Sequence, residues 1–230
     1  MKKEVGHYIL VGLLILVPLF NGCSINSTKL VSSKSYDKYD LKVGDTWDVK
    51  VISDAPLERV VVTVTDDKTS AQNYLAKTEV QSKGFDRIIT GHAKIDKENL
   101  GITELDATFV KDGVPIRLTQ RSEYSHAGNP KFPMKVGKEW EVIETTTHRT
   151  MHGNEVSKKS STKKFRYVVS GIDKISVEAG EFECLRVNKY EGDKLVAVHW
   201  YSPKTKFISV KEISYEKNEL YKLQHYKVSW

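Results

Sequence analysis

His148 and His152, in the run His-Arg-Thr-Met-His, have the four-residue spacing by which a helix offers two imidazoles to one zinc ion. Their surroundings argue otherwise. Glu139 to Met151 is rich in Thr and reads as a strand, where positions four apart stand about 13 Å from each other. That is too far for one ion, and no Glu holds the metalloprotease position, so no metal is expected. Cys184 offers a thiol nucleophile, and His199 and His225 fall on segments that could bring a base beside it. No Gly-rich elbow or Cys-His signature accompanies it, and a free Cys beside Phe182 is ordinary in a core strand. Asp66-Asp67 and Asp86 supply carboxylates, but neighbours on a strand face opposite ways, which suits a solvated turn better than acid–base work. Lys158, Lys159, Lys163 and Lys164 form the densest basic run, able to meet phosphate head groups or simply to solvate a hairpin arm. Trp200 and Tyr201, ahead of Pro203, are candidates for a contact edge toward a ligand or partner. No catalytic constellation and no cofactor emerge from this set.

The element that must position all of them is a repeat. Leu41-Lys42-Val43-Gly44-Asp45-Thr46-Trp47 returns as Met134-Lys135-Val136-Gly137-Lys138-Glu139-Trp140, 93 residues later. Gly44 and Gly137 would each allow a backbone turn, and Trp47 and Trp140 would each cover one end of a core. A surface Trp could instead stack on a sugar ring, but recurrence in both copies favours the structural role, shared by Val43 and Val136.

Each copy opens a series of short strand-like runs. In the first unit, 41–128, Thr46 to Ile52 alternates with Trp47, Val49 and Val51 on one face, followed by 59–65, 74–80 and a face carrying Phe85, Arg87, Ile89, Gly91, Ala93 and Ile95. Leu105, Ala107 and Phe109 alternate into Lys111-Asp112-Gly113, and Val114 to Leu118 returns, a hairpin signal. Ala127-Gly128-Asn129-Pro130 is a breaker cluster and marks the seam. The second unit, 129–230, holds strands over 139–151, 163–171, 172–177, 182–190, 195–202, 207–213 and 220–230. The fold class is all-β, an antiparallel meander of about a dozen strands in two repeated units, as sandwiches or as one continuous curved sheet.

Composition agrees: 39% hydrophobic, 29% charged, with 11 Tyr and four Trp, suits a globular, fully soluble β body and excludes a multispanning membrane protein. The formal net charge of +6 is dispersed, and no basic face interleaved with aromatics points to nucleic acid. At the N-terminus, Lys2-Lys3, the apolar run Ile9 to Phe20 and then Asn21-Gly22-Cys23 read as a lipoprotein signal peptide over 1–22. Phe20 stands where Leu is usual, with Leu19 one place earlier. Acylated Cys23 would anchor the chain to a membrane, with 23–40, rich in Ser and Lys, as a flexible tether. Ser24, rather than Asp, after that Cys resembles an outer-membrane sorting signal in a host with two membranes. Cys184 is then the sole remaining thiol, so no internal disulfide is expected.

Three motifs in order, Phe132-Pro133-Met134-Lys135-Val136-Gly137-Lys138-Glu139-Trp140, Val177-Glu178-Ala179-Gly180-Glu181-Phe182-Glu183-Cys184 and Trp200-Tyr201-Ser202-Pro203, resemble an exported bacterial family of unknown function that includes the TapB group. The resemblance spans about 132–215 and implies an envelope β-protein without assigned activity. Lys204-Thr205-Lys206 replaces the Gly common after that Pro, which implies a different turn. The residues together suggest a non-enzymatic, lipid-anchored binding or assembly module, with an envelope protein or a lipid as partner. A carrier of an apolar ligand in a curved sheet is the alternative. A hydrolase using Cys184 or a His–carboxylate pair is the third class.

Overall fold

The computed structural model describes residues 35–54, 56–83, 88–111, 113–124 and 131–230. The signal peptide, Cys23 and most of the tether lie outside these residues, as do Phe85, Asp86, Arg87, Asp112 and the breaker cluster at 127–130.

The two Val-Gly turns have matching backbone geometry. Gly44 has φ +90° and Gly137 φ +84°, a region that side chains other than glycine's rarely enter. Gly44 N–H donates to the Val64 carbonyl at 2.9 Å, and the Val64 N–H returns to the Asp45 carbonyl at 2.9 Å. In the second copy Gly137 N–H donates to Val169 at 2.8 Å, and Val169 N–H returns to Lys138 at 2.9 Å. Each turn therefore hooks its own strand to the following one. Trp47 and Trp140 are both buried, at 1% and 6% exposure. Val43 is exposed while Val136 is half-buried, so the Val positions differ where Leu41 and Met134, the two Gly and the two Trp match.

The first unit supplies β2 (Thr46–Ile52), β3 (Leu57–Asp66), β4 (Asn73–Ser82), β5 (Ile89–Asp96), β6 (Ile102–Lys111) and β7 (Val114–Tyr124). The second supplies β9 (Glu139–His152), β10 (Glu155–Val177), β11 (Gly180–Glu191), β12 (Lys194–Tyr201), β13 (Ser209–Ser214) and β14 (Glu219–Lys227). Among the described residues these twelve strands pair antiparallel in sequence order and close into one barrel through β7–β9 and β14–β2. The repeat thus forms one continuous curved sheet, and closure removes the free edges that an open meander would expose. Ser35–Tyr36 (β1) pairs with Met134–Lys135 (β8) in a separate two-stranded sheet. The end of the segment read as a tether is therefore laid against the body, where Tyr36 and Tyr39 pack on Phe207.

The ladder positions repeat as well. Trp47 lies opposite Val62 and Val49 opposite Val60; Trp140 lies opposite Tyr167 and Val142 opposite Phe165. The runs 163–171 and 172–177, expected as two strands, are one 23-residue strand bent at an irregularity between Val169 and Gly171. A bulge increases local twist without ending a strand, which hydrophobic alternation alone does not reveal. Beyond it the β10–β11 hairpin reaches β14, where Phe182 meets Tyr226 with ring centroids 5.7 Å apart.

One end of the barrel interior is apolar and filled: Trp47, Trp140, Val142, Phe165, Tyr167 and Val169 belong to one buried cluster. Beneath it, Lys206 Nζ pairs with Asp45 Oδ2 at 2.8 Å, with side chains 1% and 0% exposed. Asp45 also accepts from the Lys42 and Ser229 backbone N–H groups, and Lys206 donates to the Asp40 carbonyl, so the buried charges are fully engaged. The 3-10 turn Pro203–Thr205 delivers Lys206 in a left-handed conformation, the different turn that Lys204-Thr205-Lys206 implied. The outer wall carries ion pairs such as Lys164–Glu141 and Arg117–Asp106, unlike the apolar band of a membrane-spanning barrel. No helix among the described residues is long and apolar enough to cross a membrane.

Candidate functional site

Above the apolar cluster the inward face of the second unit turns polar. Along β9 the inward series runs Trp140, Val142, Glu144, Thr146, His148, and along β10 the matching positions are Tyr167, Phe165, Lys163, Ser161, Lys159. Strand alternation carries these side chains inward because each lies on the face already fixed by Trp140 and Phe165. Lys189 of β11, His199 of β12 and Glu212 of β13 complete the wall through their register with Tyr167, Val187 and His199. A cavity of about 360 Å³ opens among them. An eight-stranded barrel is just filled by its own side chains, and twelve strands enclose more space than that.

The groups lining the cavity divide into committed and uncommitted ones. Lys163 donates to Glu191 at 2.9 Å and to Glu216 at 3.0 Å. Burial lowers its pKa, yet these two carboxylates raise it overall. His199 Nδ1 lies 3.1 Å from Glu212. Burial would raise the Glu212 pKa, but the charge and hydrogen bond of His199, aided by Lys217 and Lys189, hold it below the ordinary value. Glu144 accepts from the Thr146 hydroxyl at 3.2 Å.

Three polar atoms on this lining are buried and have no hydrogen-bond partner: Gln120 Oε1, His148 Nδ1 and His199 Nε2. His148 and His199 are 8% and 7% exposed. Buried polar atoms are almost always paired, by protein, water or a ligand, and here three of them open onto one hollow. The His148 pKa is pushed down by burial and then by Lys159 and Lys217, which keeps its ring neutral near pH 7. Lys217 is likewise pushed down by burial, against the pull of Glu219 and Glu212.

The residues singled out from sequence scatter. Lys163 and Lys159 line the cavity, whereas Lys158 and Lys164 are exposed on the opposite face of the strand. Trp200 and Tyr201 are buried, at 8% and 6%, which removes them as a surface contact edge. The Trp200 indole donates to Asp173 at 2.8 Å, and Lys211 lies over its ring. Side chains on both faces of β12 are buried, which an aromatic pair before a Pro cannot announce. His148 is inward and buried, while His152 is exposed near the hairpin tip. Cys184 is 1% exposed, and burial, then Asp173 and Glu183, push its thiol up to about 12. It lies on the opposite face from Val187, the register partner of His199, so strand geometry keeps that histidine away from it. His225 is exposed. Asp66 accepts from the Lys68 and Thr69 N–H groups and is lowered to about 2, chiefly by the hydrogen bonds from Thr69, as a turn residue. Gln120, Glu144, Lys189, Glu212 and Lys217 were not legible as site residues. Four are single polar residues in the alternating strands β7, β9, β11 and β13, the fifth lies in the turn after β13, and only the curved sheet brings them together.

No protein-family model matches the chain, and no curated protein matches it. A solved structure from Bacteroides fragilis, of a protein described as exported and as having a YmcC-like fold, aligns with a TM-score of 0.45 and 10% identity. The alignment covers 84% of this chain and 99% of that one. The likeness is thus to an exported protein without a stated activity and not to the TapB group specifically. At that identity and score it carries no function from one chain to the other.

Proposed function

We propose that this chain is a non-enzymatic, lipid-anchored envelope protein whose barrel binds a small polar ligand in the cavity of its second unit. The observation that carries the reading is the convergence of three unpartnered buried polar atoms on one hollow. Its volume lies at the lower end of the range for small-molecule pockets, roughly 300 to 1,000 Å³. Acylated Cys23 would supply the membrane attachment, at the periplasmic face of the outer membrane where the host has two membranes. The three ordered motifs around Trp140, Phe182 and Trp200, which resemble the exported family that includes the TapB group, support an envelope location.

A carrier of an apolar ligand is less well supported, because the apolar end of the interior is occupied by Trp47, Trp140, Tyr167 and their neighbours. A hydrolase has one specific observation in its favour. Glu212 holds His199 by Nδ1 with Nε2 turned free, as a carboxylate orients a general base. Among the described residues no hydroxyl or thiol hydrogen-bonds to that Nε2, so the pair lacks the nucleophile that would make it a triad. Binding is therefore the better account.

Native mass spectrometry of the full chain, extracted from its own envelope in detergent, tests it. A retained mass of a few hundred daltons or less is expected, lost in Gln120→Leu/His199→Leu. A retained mass of lipid size would favour the carrier, and the absence of any small-molecule mass would overturn the pocket reading.

A further inference from the structure

The charges around the cavity nearly balance, so the ligand class must be read from the groups that remain free. Each nearby carboxylate already has a donor: Glu212 has His199, Glu216 has Lys163, Glu144 has Thr146 and Glu219 accepts from the Tyr221 hydroxyl. Among the described residues, two half-buried ammonium groups on this lining have no acceptor within hydrogen-bond reach. Lys189 Nζ stands 3.9 Å from Glu144, beyond hydrogen-bond reach, and rests 3.7 Å from the centroid of the Phe165 ring. Lys217 Nζ stands 4.0 Å from Glu219, with its side chain 11% exposed. The two share one lining with the unpartnered nitrogens of His148 and His199. An ammonium partly withdrawn from water and without an acceptor is costly, and two such groups facing one hollow favour an anion between them.

We propose that the cavity binds a small oxyanion, a molecule bearing a carboxylate or phosphate group, held by Lys189 and Lys217 beside the His199 imidazole. This rests on the pocket reading above. His199 stands beside the two lysines, its Nδ1 held by Glu212 and its Nε2 turned inward without a partner. Gln120 Oε1, Ser161 and Ser214 remain to accept from or donate to hydroxyls elsewhere on the ligand.

Isothermal titration of the full chain against inorganic phosphate, succinate, glucose and putrescine tests the class. Phosphate or succinate is expected to bind, and the stronger of the two identifies which oxyanion the site prefers. Lys189→Met and Lys217→Met should each weaken that binding by about tenfold or more, the scale of one lost hydrogen bond to a charged group. Lys158→Met, on the exposed face, should leave it unchanged, and Lys189→Gln serves if the Met variant melts early. Binding of glucose or putrescine alone, or oxyanion binding indifferent to both lysines, overturns the proposal while leaving the pocket standing. Failure of the pocket itself shows separately, as the absence of a small retained mass in the native extract.

Discussion

The β2–β3 and β9–β10 hairpins begin as copies and end as different objects. Both start at a Val-Gly turn, bury a Trp, and pair it with an apolar residue one strand over: Trp47 with Val62, Trp140 with Tyr167. The next inward pair is also apolar in both, Val49 with Val60 and Val142 with Phe165. At the third inward position, 93 residues apart like the motifs, the first unit has Val51 and the second Glu144. Val51 joins Leu57, Val80 and Ile89 in a small apolar cluster, and its ladder with β3 stops one residue earlier, at Lys50. Glu144 faces Lys163 in a ladder that runs on to His152. The same plan therefore yields a packed wall in one half and a hollow, charged wall in the other. The two halves share their opening turn and part at the third inward position.

The largest expected effect breaks this comparison at its base. Asp45 and Lys138 occupy equivalent motif positions, yet Asp45 is fully buried against Lys206 while Lys138 donates to the Lys131 and Pro133 carbonyls nearer solvent. Lys206→Met leaves Asp45 as an uncompensated buried charge and should cost about 3–5 kcal/mol in urea unfolding. Lys138→Met should cost about 1 kcal/mol, the scale of an ordinary hydrogen bond. Equal losses would show that the two motif turns are not differently anchored.

Exchanging the third inward residues comes next. Val51→Glu places a carboxylate in an apolar cluster and should destabilise by about 2–4 kcal/mol. Glu144→Val removes a group with only a hydroxyl donor and a distant lysine, and should change stability by about 1 kcal/mol or less. A large loss from Glu144→Val would make that side chain part of the framework rather than of the site.

Gly44→Ala and Gly137→Ala should act alike. An added Cβ meets nothing within 4 Å at either, so the cost is the positive φ alone, about 1–2 kcal/mol at each turn. Unequal losses would break the equivalence of the two turns.

The smallest effect is a pH dependence confined to the second unit. His148 is held below its ordinary pKa, so the unfolded chain binds its proton first as pH falls. Its contribution to stability is full above about pH 6.5 and is lost as pH drops toward the lowered folded value. The urea midpoint should fall from pH 7 to pH 5.5, and His148→Asn should flatten that fall. No flattening would place the titration elsewhere.

Much of the barrel was legible because its strands alternate and its turns carry Gly, Asn or Asp at the positions that need them. Thr46 to Ile52 and Glu139 to Met151 were bounded to within a residue. The closure was not legible, since β14 pairs with β2 across the whole described chain and no local pattern encodes that contact. The site stayed hidden for the same reason. Glu144 or Lys189 in an alternating strand looks like a residue facing water, and only the register with Trp140 and Tyr167 turns it inward. Trp200 misled in the opposite sense, as an aromatic at a strand end that is buried on its own sheet face.

The most direct measurement is an amide and imidazole NMR titration of the full chain with phosphate and, separately, succinate. Shifts concentrated at Lys189, Ala197, His199 and His148, with Val51, Val80 and Ile89 unmoved, are the predicted result. Shifts centred on the first unit, or none near His199, would contradict the account that the second half departs from the repeat to form a site.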